Sequence, residues 1–319
     1  MKICIASKHG DWSAAKSGKG FFVQRLVTAL GKLGAEVTAD TDKKVDIALH
    51  VGHIRYKSRA RANVLRIGPA RVSKHEDYEK LNAKRKKSVK LADAVVFQSE
   101  YSRKVNHAFV CKPKCPETVI HNGVDYEWYD NVITARDLGK GHIFVASTRK
   151  WIAQKRLKDI VLSFNMACIP ESKLFILGNA LDQDKKYKGD NVTYVGECDQ
   201  VTIASYLKAA STFVHVVHLD ACPNSVAEAV GAGAPVLCTN QGGTAEMLEG
   251  WNYISIQDKK FKFKPIDLGK PPRLDRVILA NAMIMSADQN WKPAVRPDRL
   301  DIGYVANDYL NFFEEVLGG

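Results

Sequence analysis

Short β-rich runs alternate with amphipathic helical patterns along nearly the whole chain, and this alternation constrains the fold more than any other feature of the sequence. Strand signals separated by helical stretches predict βαβ units, in which parallel strands are covered by helices. The alternation forms two series, and the second starts afresh near residue 142. The strands predicted in the first series span residues 2–6, 36–38, 45–49, 64–67, 94–97 and 118–120, with helices at 21–30, 77–91 and 99–108.

The second series predicts another sheet of the same kind. A length of 319 residues is enough for two domains, each with its own core. We therefore predict an α/β protein of two doubly wound, Rossmann-like domains, residues 1–125 and 126–300, that face each other across a cleft. Residues 301–319 are predicted as a C-terminal helix that packs back on the first domain. The second series has predicted strands at residues 142–146, 173–177, 191–195, 212–217 and 235–238, helices at 157–167, 199–209 and 224–232, and a loop at 259–272.

The net charge of +12 is concentrated in the first part of the chain. Residues 1–130 hold 25 basic and 14 acidic side chains, whereas residues 131–319 hold 22 and 21. A run of like charges is usually a solvated face, but a one-sided field of this size also speeds encounter with a polyanion or an anionic membrane. The first basic run comprises Arg55, Lys57, Arg59, Arg61 and Arg66, and the second comprises Lys80, Lys84, Arg85, Lys86, Lys87 and Lys90.

The cysteines and the hydropathy pattern favour a cytoplasmic protein. The seven cysteines are odd in number and mostly occupy apolar segments, as reduced cysteines do. The first apolar run passes directly into polar residues, and no run of 18 apolar residues is present, so we expect neither a signal peptide nor a membrane span. The expected location is the cytoplasm, that of the host for a viral protein, with peripheral attachment to a membrane as the alternative.

Glycines and cations follow two of the predicted strands, at the places where open α/β sheets bind their ligands. Gly18, Lys19 and Gly20 stand at the start of the first helix, where free backbone amides could hold a phosphate group. Arg149 and Lys155 follow the first strand of the second series, and two cations at that place suit a diphosphate. The alternatives are a tight turn for the glycines and two solvated charges for the cations.

The most informative segment follows the strand predicted at residues 212–217. Pro223 suits the first turn of a helix, which would put Asp220 and the backbone amides of residues 224–226 at the mouth of that helix. Glu228 would lie about one turn inside and face the same cleft. Alternatively, Asp220 and Glu228 are an ordinary loop acid and an ordinary helix acid.

This segment resembles the signature of the retaining GT-B glycosyltransferases of family 4. The signature is an acid-x7-acid pattern, here Asp220 and Glu228, followed by a Gly-x-Pro-Val strand and a Gly-Gly-x-x-Glu turn that ends at Glu246. Residues 119–125 resemble the family's interdomain segment with Asn-Gly-Val-Asp, and residues 92–102 resemble its strand and turn with Gln-Ser-Glu. Landmarks in the family's order cover about residues 1–250.

The resemblance implies a role for each of these residues. Arg149 and Lys155 would hold the diphosphate of a nucleotide sugar such as a UDP-sugar, Glu228 would bind the ribose, and Asp220 would contact the transferred sugar. The implied reaction moves the sugar to an acceptor with retention at the anomeric carbon, without a metal or a cofactor. The other donor-binding residues implied are Gly18, Lys19, Gly20, Asn224, Ser225 and Val226.

Other features are weaker or depart from the family. The family's usual first acid is Glu where this chain has Asp220, and Gly68 and Pro69 stand where many members carry His or Asp near the sugar. Two Asp-x-Asp pairs lie in polar, turn-like stretches, and four Cys and His residues have no standard zinc spacing, so we expect no metal. The Asp-x-Asp pairs are Asp40 with Asp42 and Asp182 with Asp184, and the zinc candidates are His107, Cys111, Cys115 and His121.

The charge distribution suggests the acceptor. By the resemblance, the first domain binds the acceptor, and it holds the basic excess, so we expect an anionic acceptor or an anionic support. DNA is one candidate, as in a phage-type enzyme that glycosylates a hydroxymethylated base. A lipid-linked or cell-surface saccharide at an anionic membrane is the second, and a small soluble acceptor is the third. A hypothesis of another class is a nucleic-acid-binding protein that keeps the fold without activity. The residues expected to contact the polyanion are Arg55, Lys57, Arg59, Arg61 and Arg66.

Overall fold

The first series of strands forms a six-stranded parallel sheet. The computed structural model describes residues 1–6, 18–55, 57–181, 185–289, 291 and 294–319, and for residues 18 and 19 it describes the backbone alone. The central strands are apolar and buried on both faces, as in parallel sheets that helices cover. The strands are β1 (Lys2–Ala6), β2 (Glu36–Thr38), β3 (Ile47–Val51), β4 (Ala62–Ile67), β5 (Ala94–Phe97) and β6 (Glu117–Val119), in the order β2-β1-β3-β4-β5-β6.

Three helices connect these strands: α1 (Gly18–Lys32), α2 (Tyr78–Leu91) and α3 (Glu100–Phe109). Two of them begin at side-chain caps that the sequence supplies. The carboxylate of Asp77 accepts a hydrogen bond from the Lys80 amide at the start of α2, and the hydroxyl of Ser99 accepts one from the Ser102 amide at the start of α3. These caps fix where each helix leaves the sheet.

The C-terminal helix, Ile302–Gly318, belongs to this first unit. Its buried residues Val305 and Tyr309 join the core formed by α1 and the strands. A Cβ at Gly123 would lie 2.9 Å from the Cα of Ile302, so only glycine permits this approach of chain and helix. The unit comprises Met1–Asp125, Phe263–Ile266 and Asp298–Gly319 and includes the short 3-10 helix Asp298–Leu300.

The second unit, Tyr126–Lys262 with Asp267–Pro297, contains another six-stranded parallel sheet. A short helix, α4 (Tyr126–Asn131), precedes it. The strands are β7 (Ile143–Lys150), β8 (Lys173–Asn179), β9 (Val192–Gly196), β10 (Thr212–His215), β11 (Val236–Thr239) and β12 (Tyr253–Ile256), in the order β12-β11-β10-β7-β8-β9. The helices are α5 (Leu157–Ala167), α6 (Gln200–Lys208), α7 (Asn224–Gly231), α8 (Thr244–Met247) and α9 (Arg276–Asp288).

The strand order of the second sheet places a topological switch point between β7 and β10. From β7 the chain adds β8 and β9 on one side, then crosses to the other side and adds β10, β11 and β12. Doubly wound sheets bind their ligands beyond the carboxyl ends of the strands at such a point. The core that supports this edge combines residues of these strands with α5 and α9.

The predicted fold class, two parallel α/β sheets, is confirmed. Four elements of the second unit escaped prediction, namely β12 and the helices α4, α8 and α9. Helix α9 lacked a clear apolar stripe because Val277, Ile278, Ile284 and Met285 are exposed on a helix whose other face is also apolar. Within the described residues, no helix has both the length and the apolar character that crossing a membrane requires.

Candidate functional site

The candidate site lies at the carboxyl ends of β7 and β10, the neighbouring strands at the switch point. The pairing of β7 with β8 shifts register between Ser147 and Lys150, which marks a bulge. Gly178 on β8 makes this possible, because a Cβ there would lie 1.6 Å from the Thr148 carbonyl oxygen. Arg149 follows within the bulge and is exposed. The local backbone therefore presents the Arg149 guanidinium at the sheet edge.

Lys155 ends a short 3-10 helix, Ala153–Lys155, that follows β7. Reciprocal hydrogen bonds tie this turn to the segment after β10. The side-chain amide of Gln154 donates to the carbonyl oxygen of His218 at 2.6 Å, and the backbone amide of His218 donates to the carbonyl oxygen of Gln154 at 3.1 Å. The turn that carries Lys155 is thus attached to the segment that leads into Asp220.

A buried ionic network lies beneath this attachment. The guanidinium of Arg156 donates two hydrogen bonds of 2.8 Å to the carboxylate of Asp258, which also contacts Nδ1 of His218 at 2.8 Å. Arg156 also donates to the carbonyl oxygens of Val216 and Pro272. Although burial raises the pKa of Asp258, its contacts with His218 and Arg156 hold that pKa far below its ordinary value. The buried arginine in this unit is therefore compensated by a full negative charge.

Asp220, His215 and Lys155 come together at the end of β10. Burial raises the pKa of Asp220, but contact with His215, the charge of Lys155 and the Ala221 amide together lower it below 3.8. Burial lowers the pKa of His215 below 6.5, Asp220 opposes this shift, and Lys155 adds to it. Nε2 of His215 lies 3.7 Å from Oδ2 of Asp220, which is longer than a hydrogen bond. At neutral pH the site therefore holds a carboxylate, a neutral imidazole and an ammonium group.

The Gly-Gly turn packs directly on Asp220. The backbone amide of Gly243 donates to the carbonyl oxygen of Asp220 at 2.7 Å. Gly242 has φ of +100°, and a Cβ there would lie 2.4 Å from the same carbonyl oxygen. Leu219, just before Asp220, also lies in the left-handed region with φ of +58°. The turn thus fixes the backbone that presents the Asp220 carboxylate.

Helix α7 begins beside this turn, with Pro223 at the position before its first residue. Asn224 and Ser225 are half-buried, whereas Val226 is buried in the core. Glu228 lies in the second turn and is half-buried. The second unit therefore has Lys155 and Asp220 at one edge of the sheet. Arg149 lies near the end of β7 at that edge, and α7 begins after β10.

Other predicted site residues lie in the first unit. Gly18, Lys19 and Gly20 form the first turn of α1, and the side chains of residues 18 and 19 are outside the described part of the chain. Asp40 and Asp42 form a local turn, in which the Asp42 amide donates to the Asp40 carboxylate. Asp182 and Asp184 are outside the described residues.

The zinc candidates do not form a cluster. Nε2 of His107 lies 3.0 Å from Oε2 of Glu117, so this nitrogen already has a partner within the first unit. Cys111 and Cys115 are half-buried, and burial raises the pKa of both thiols. Among the residues that the structure describes, no group of three or more His, Cys, Asp and Glu side chains is arranged to hold a metal ion.

The first basic run is only partly available to an anion. Arg55 and Arg59 are exposed, but Lys57 pairs with Asp93 at 2.6 Å and Arg61 lies 3.7 Å from Asp46. Arg66 is 2% exposed, because it occupies a central strand, β4, that is buried on both faces. The prediction that Arg66 contacts a polyanion at the surface is therefore wrong.

Sequence reasoning missed the residues that position the site. Arg156, His218 and Asp258 are separated by up to 102 residues, so no local pattern connects them. His215 had one usable signal, since it ends a buried strand five residues before Asp220. The interaction of a buried histidine with that acid requires the fold itself.

Residues 140–262 match the family model described as Glycosyl transferases group 1. The matched segment contains the carboxyl edge of the second sheet, with Arg149, Lys155, Asp220 and Glu228. A comparison with curated proteins gave no significant match.

Solved structures share the fold over the whole chain. Sucrose-phosphate synthase from Thermosynechococcus elongatus has a TM-score of 0.74 and 17% identity, covering 100% of this chain and 99% of that chain. HepE of Anabaena, solved in complex with UDP, has a TM-score of 0.65 and 14% identity, covering 99% and 100%. Likenesses of this identity show the fold, which is GT-B. The comparisons therefore show the GT-B fold over the whole chain and a match to the group 1 glycosyl transferase model over residues 140–262.

Proposed function

We propose that this protein is a retaining glycosyltransferase that takes its sugar from a nucleotide-diphosphate sugar. The observation that carries the proposal is that the turn carrying Lys155 is attached to the segment of the ionised Asp220 at the switch point of the second sheet, within the part of the chain that matches the family model. A cation near an acid is suited to a ligand with both a diphosphate and sugar hydroxyls. Anabaena HepE, which has the same fold, has been solved in complex with UDP-glucose.

Each residue of the site has a place in this proposal. Arg149 and Lys155 bind the diphosphate, and the carboxylate of Glu228 accepts hydrogen bonds from the ribose hydroxyls. Asp220, held as a carboxylate by its lowered pKa, accepts hydrogen bonds from the transferred sugar. The first turn of α7, residues 224–226, adds backbone amides near the phosphate.

The reaction breaks the bond between the anomeric carbon and the leaving phosphate oxygen. The acceptor oxygen forms its bond to the same face of that carbon, and its proton passes to an oxygen of the departing diphosphate. Negative charge grows on the diphosphate during this step, and two fixed cations, Arg149 and Lys155, offset it without a metal ion. His215, neutral at neutral pH, leaves Lys155 as the cation beside Asp220.

We propose an anionic acceptor for the first unit. Helix α2 exposes Lys80, Lys84, Lys86, Lys87 and Lys90, and among its described residues it exposes no large apolar side chain. A helix that inserts into a membrane interface needs such side chains, so this face suits a polyanion in water, and DNA is the acceptor that fits it. A lipid-linked acceptor at an anionic membrane is the alternative that the assay below separates.

The test is a transfer assay on the full chain. The protein is incubated with UDP-, GDP- and ADP-sugars and with plain DNA, hydroxymethylated DNA and a polyprenyl-phosphate lipid in anionic vesicles, and products are read by mass. A hexose-sized gain on the modified base supports DNA, and a gain on the lipid alone moves the acceptor to the membrane. A protein that turns over no nucleotide sugar with any acceptor, while it still binds DNA, would be a binding protein that keeps the fold.

A further inference from the structure

Each unit contains a buried arginine, and the two arginines differ in whether a carboxylate pairs with them. In the second unit, Nη1 and Nη2 of Arg156 both donate to the carboxylate of Asp258, and its Nε has no hydrogen-bond partner among the described residues. Arg66 in the first unit is equally buried, but among the described residues no carboxylate pairs with it. An uncompensated charge in a protein interior is costly, and it is kept where something binds it or uses it.

The neighbours of Arg66 are neutral. The guanidinium lies 4.0 Å from the centre of the Phe22 ring, and it donates to the side-chain oxygen of Asn122. The Gln98 amide, oriented by its hydrogen-bond partners, accepts from Nη1 at 2.9 Å and from Nη2 at 3.3 Å. Nε of Arg66 has no hydrogen-bond partner in the part of the chain that the structure describes. These groups satisfy donors but leave the positive charge in place.

Two further guanidinium groups lie at the same end of β4. Nη1 of Arg85 donates to the carbonyl oxygen of Gly68 at 3.0 Å, and the Gln98 amide that contacts Arg66 lies 3.8 Å from the position of a Cβ on Gly68. Burial lowers the pKa of Arg85 to about 10, and the nearby charge of Arg71 lowers it further, against Glu76. Arg85 is half-buried, so its charge is both partly desolvated and accessible.

The loop between these groups is fixed by hydrogen bonds to side chains of α2 and α3. The side chain of Asn82 accepts from the Arg71 amide at 2.9 Å and donates to the Arg71 carbonyl at 2.7 Å. Asn106 donates to the carbonyl oxygen of Gly68 at 3.1 Å. The acid near these arginines is the exposed Glu76, whose Oε1 lies 3.5 Å from Nη1 of Arg71. Arg66 near the end of β4, Arg71 in the loop that follows and Arg85, which is bound to that loop, thus have Glu76 as the one carboxylate that pairs with them among the described residues.

We propose that Arg66, Arg71 and Arg85 form an anion site at the carboxyl end of β4, and that the group it takes is a phosphate of the acceptor. Guanidinium groups match the planar geometry of phosphate oxygens, and the carboxyl edge of a doubly wound sheet is where such a ligand binds. Arg85 and Arg71 contact the phosphate, and the buried Arg66 supplies charge from behind Gln98. The inference rests on the proposed function, because that proposal supplies the acceptor. Phosphate binding at this site can be measured without any sugar transfer.

The experiment titrates inorganic phosphate into the full chain by calorimetry, with chloride added to keep the ionic strength constant. Arg85→Gln is compared with Lys104→Gln, which removes an exposed charge from α3 in the same unit. We expect phosphate binding at least about tenfold weaker in R85Q, because a charge-assisted contact is lost, and within about twofold of the wild type in K104Q. UDP binding should be unchanged in both variants, so a failure of this site is distinguishable from a failure of the donor site.

The inference would be overturned by the absence of phosphate binding above the chloride control. It would also be overturned by equal weakening in R85Q and K104Q, which would indicate a general electrostatic field. Arg66→Met gives a second reading where circular dichroism shows that it folds, and it should weaken phosphate binding like R85Q.

Competition then identifies the source of the phosphate. Displacement by a hexose phosphate but not by the hexose supports a phosphorylated sugar, displacement by an oligonucleotide supports a nucleic acid, and displacement by neither contradicts an acceptor site.

Discussion

At the scale of single residues, burial decides which side chains are charged at the candidate site. Asp220 keeps its negative charge because Lys155 and His215 outweigh the cost of its burial, and His215 stays neutral because burial outweighs Asp220. The site is left with one anion, Asp220, one cation, Lys155, and a neutral imidazole.

Two buried histidines and one half-buried histidine predict how stability depends on pH. Burial lowers the pKa of His50, His142 and His215 below 6.5. Below that value the unfolded chain takes up protons that the folded chain refuses, so the free energy of unfolding should fall as pH drops through about 6.5. Chemical unfolding at pH 7.5, 6.5 and 5.5 measures this. The variant His142→Asn cannot take up a proton and should lose less stability over that range, whereas an identical pH profile would show that His142 does not contribute.

The sequence predicts Arg149, Lys155 and Asp220 from their places near strand ends and Glu228 from the resemblance to a family signature, and their roles remain predictions. It could not tell Arg66 from its exposed neighbours, since charge alone does not report burial. The one warning was position, because Arg66 stands inside the apolar run of β4. Whether a charged residue in such a strand is compensated depends on partners such as Gln98 and Asn122, which are distant in the sequence.

At the scale of elements, close backbone contacts set the geometry of the strand ends. Gly178 lets β8 pass the bulge that carries Arg149, and Gly242 lets its turn pack on Asp220. Both glycines have positive φ, where a side chain is also strained. The geometry of the site therefore depends on these two glycines as well as on its charged residues.

Gly242→Ala should disturb the site more than the fold. The added Cβ would lie 2.4 Å from the Asp220 carbonyl oxygen, so the Asp220 segment must move. We expect donor turnover to fall at least about tenfold, with a stability loss of about 1–3 kcal/mol. Gly31→Ala is the control, because its Cβ meets no atom within 4 Å on a helix, and it should stabilise by about 0.5–1 kcal/mol. Unchanged turnover in G242A would show that the turn does not position Asp220.

Asp258→Asn should be strongly destabilising. The substitution leaves the buried guanidinium of Arg156 without its charge partner, and breaking such a pair costs about 3–5 kcal/mol. Glu36→Gln, which breaks the exposed pair with Lys2, should cost about 0–1 kcal/mol. Denaturant unfolding compares the two. Equal losses would contradict a structural role for the buried network.

Elements with one apolar face were predictable and elements with an ambiguous pattern were not. Helix α5 matches its predicted bounds because its buried residues recur at helical spacing and Arg156 precedes it as a clear break. Helix α9 was missed because apolar residues also lie on its exposed face. The short strand β12 carries too few residues to show a period, and its pairing with β11 is what makes it a strand.

At the scale of the whole molecule, the two units divide the charge. The net +12 comes almost entirely from residues before 131, and the exposed lysines of α2 hold a large share of it. The chain order of βαβ units was readable from the sequence, so both sheets could be predicted. The sequence alone could not show which unit contains a buried arginine without a paired carboxylate, because this depends on how the side chains pack.

The lysines of α2 should make polyanion binding depend on salt. In the triple variant Lys84→Gln, Lys87→Gln, Lys90→Gln, the slope of log affinity for a DNA duplex against log salt should be smaller by about 0.9 for each lysine that neutralises a phosphate. Fluorescence anisotropy at several salt concentrations gives the slope. All three residues are exposed, so folding should be unaffected. An unchanged slope would mean that DNA does not bind this face.

The central claim is that Lys155 and its neighbours hold a nucleotide diphosphate, and calorimetry with UDP, GDP and ADP tests it most directly. One of these should bind the wild type, Lys155→Met should weaken it at least about tenfold, and Lys158→Met, an exposed cation three residues on, should leave it unchanged. Binding of no nucleotide, or equal affinity in K155M and the wild type, would contradict the account.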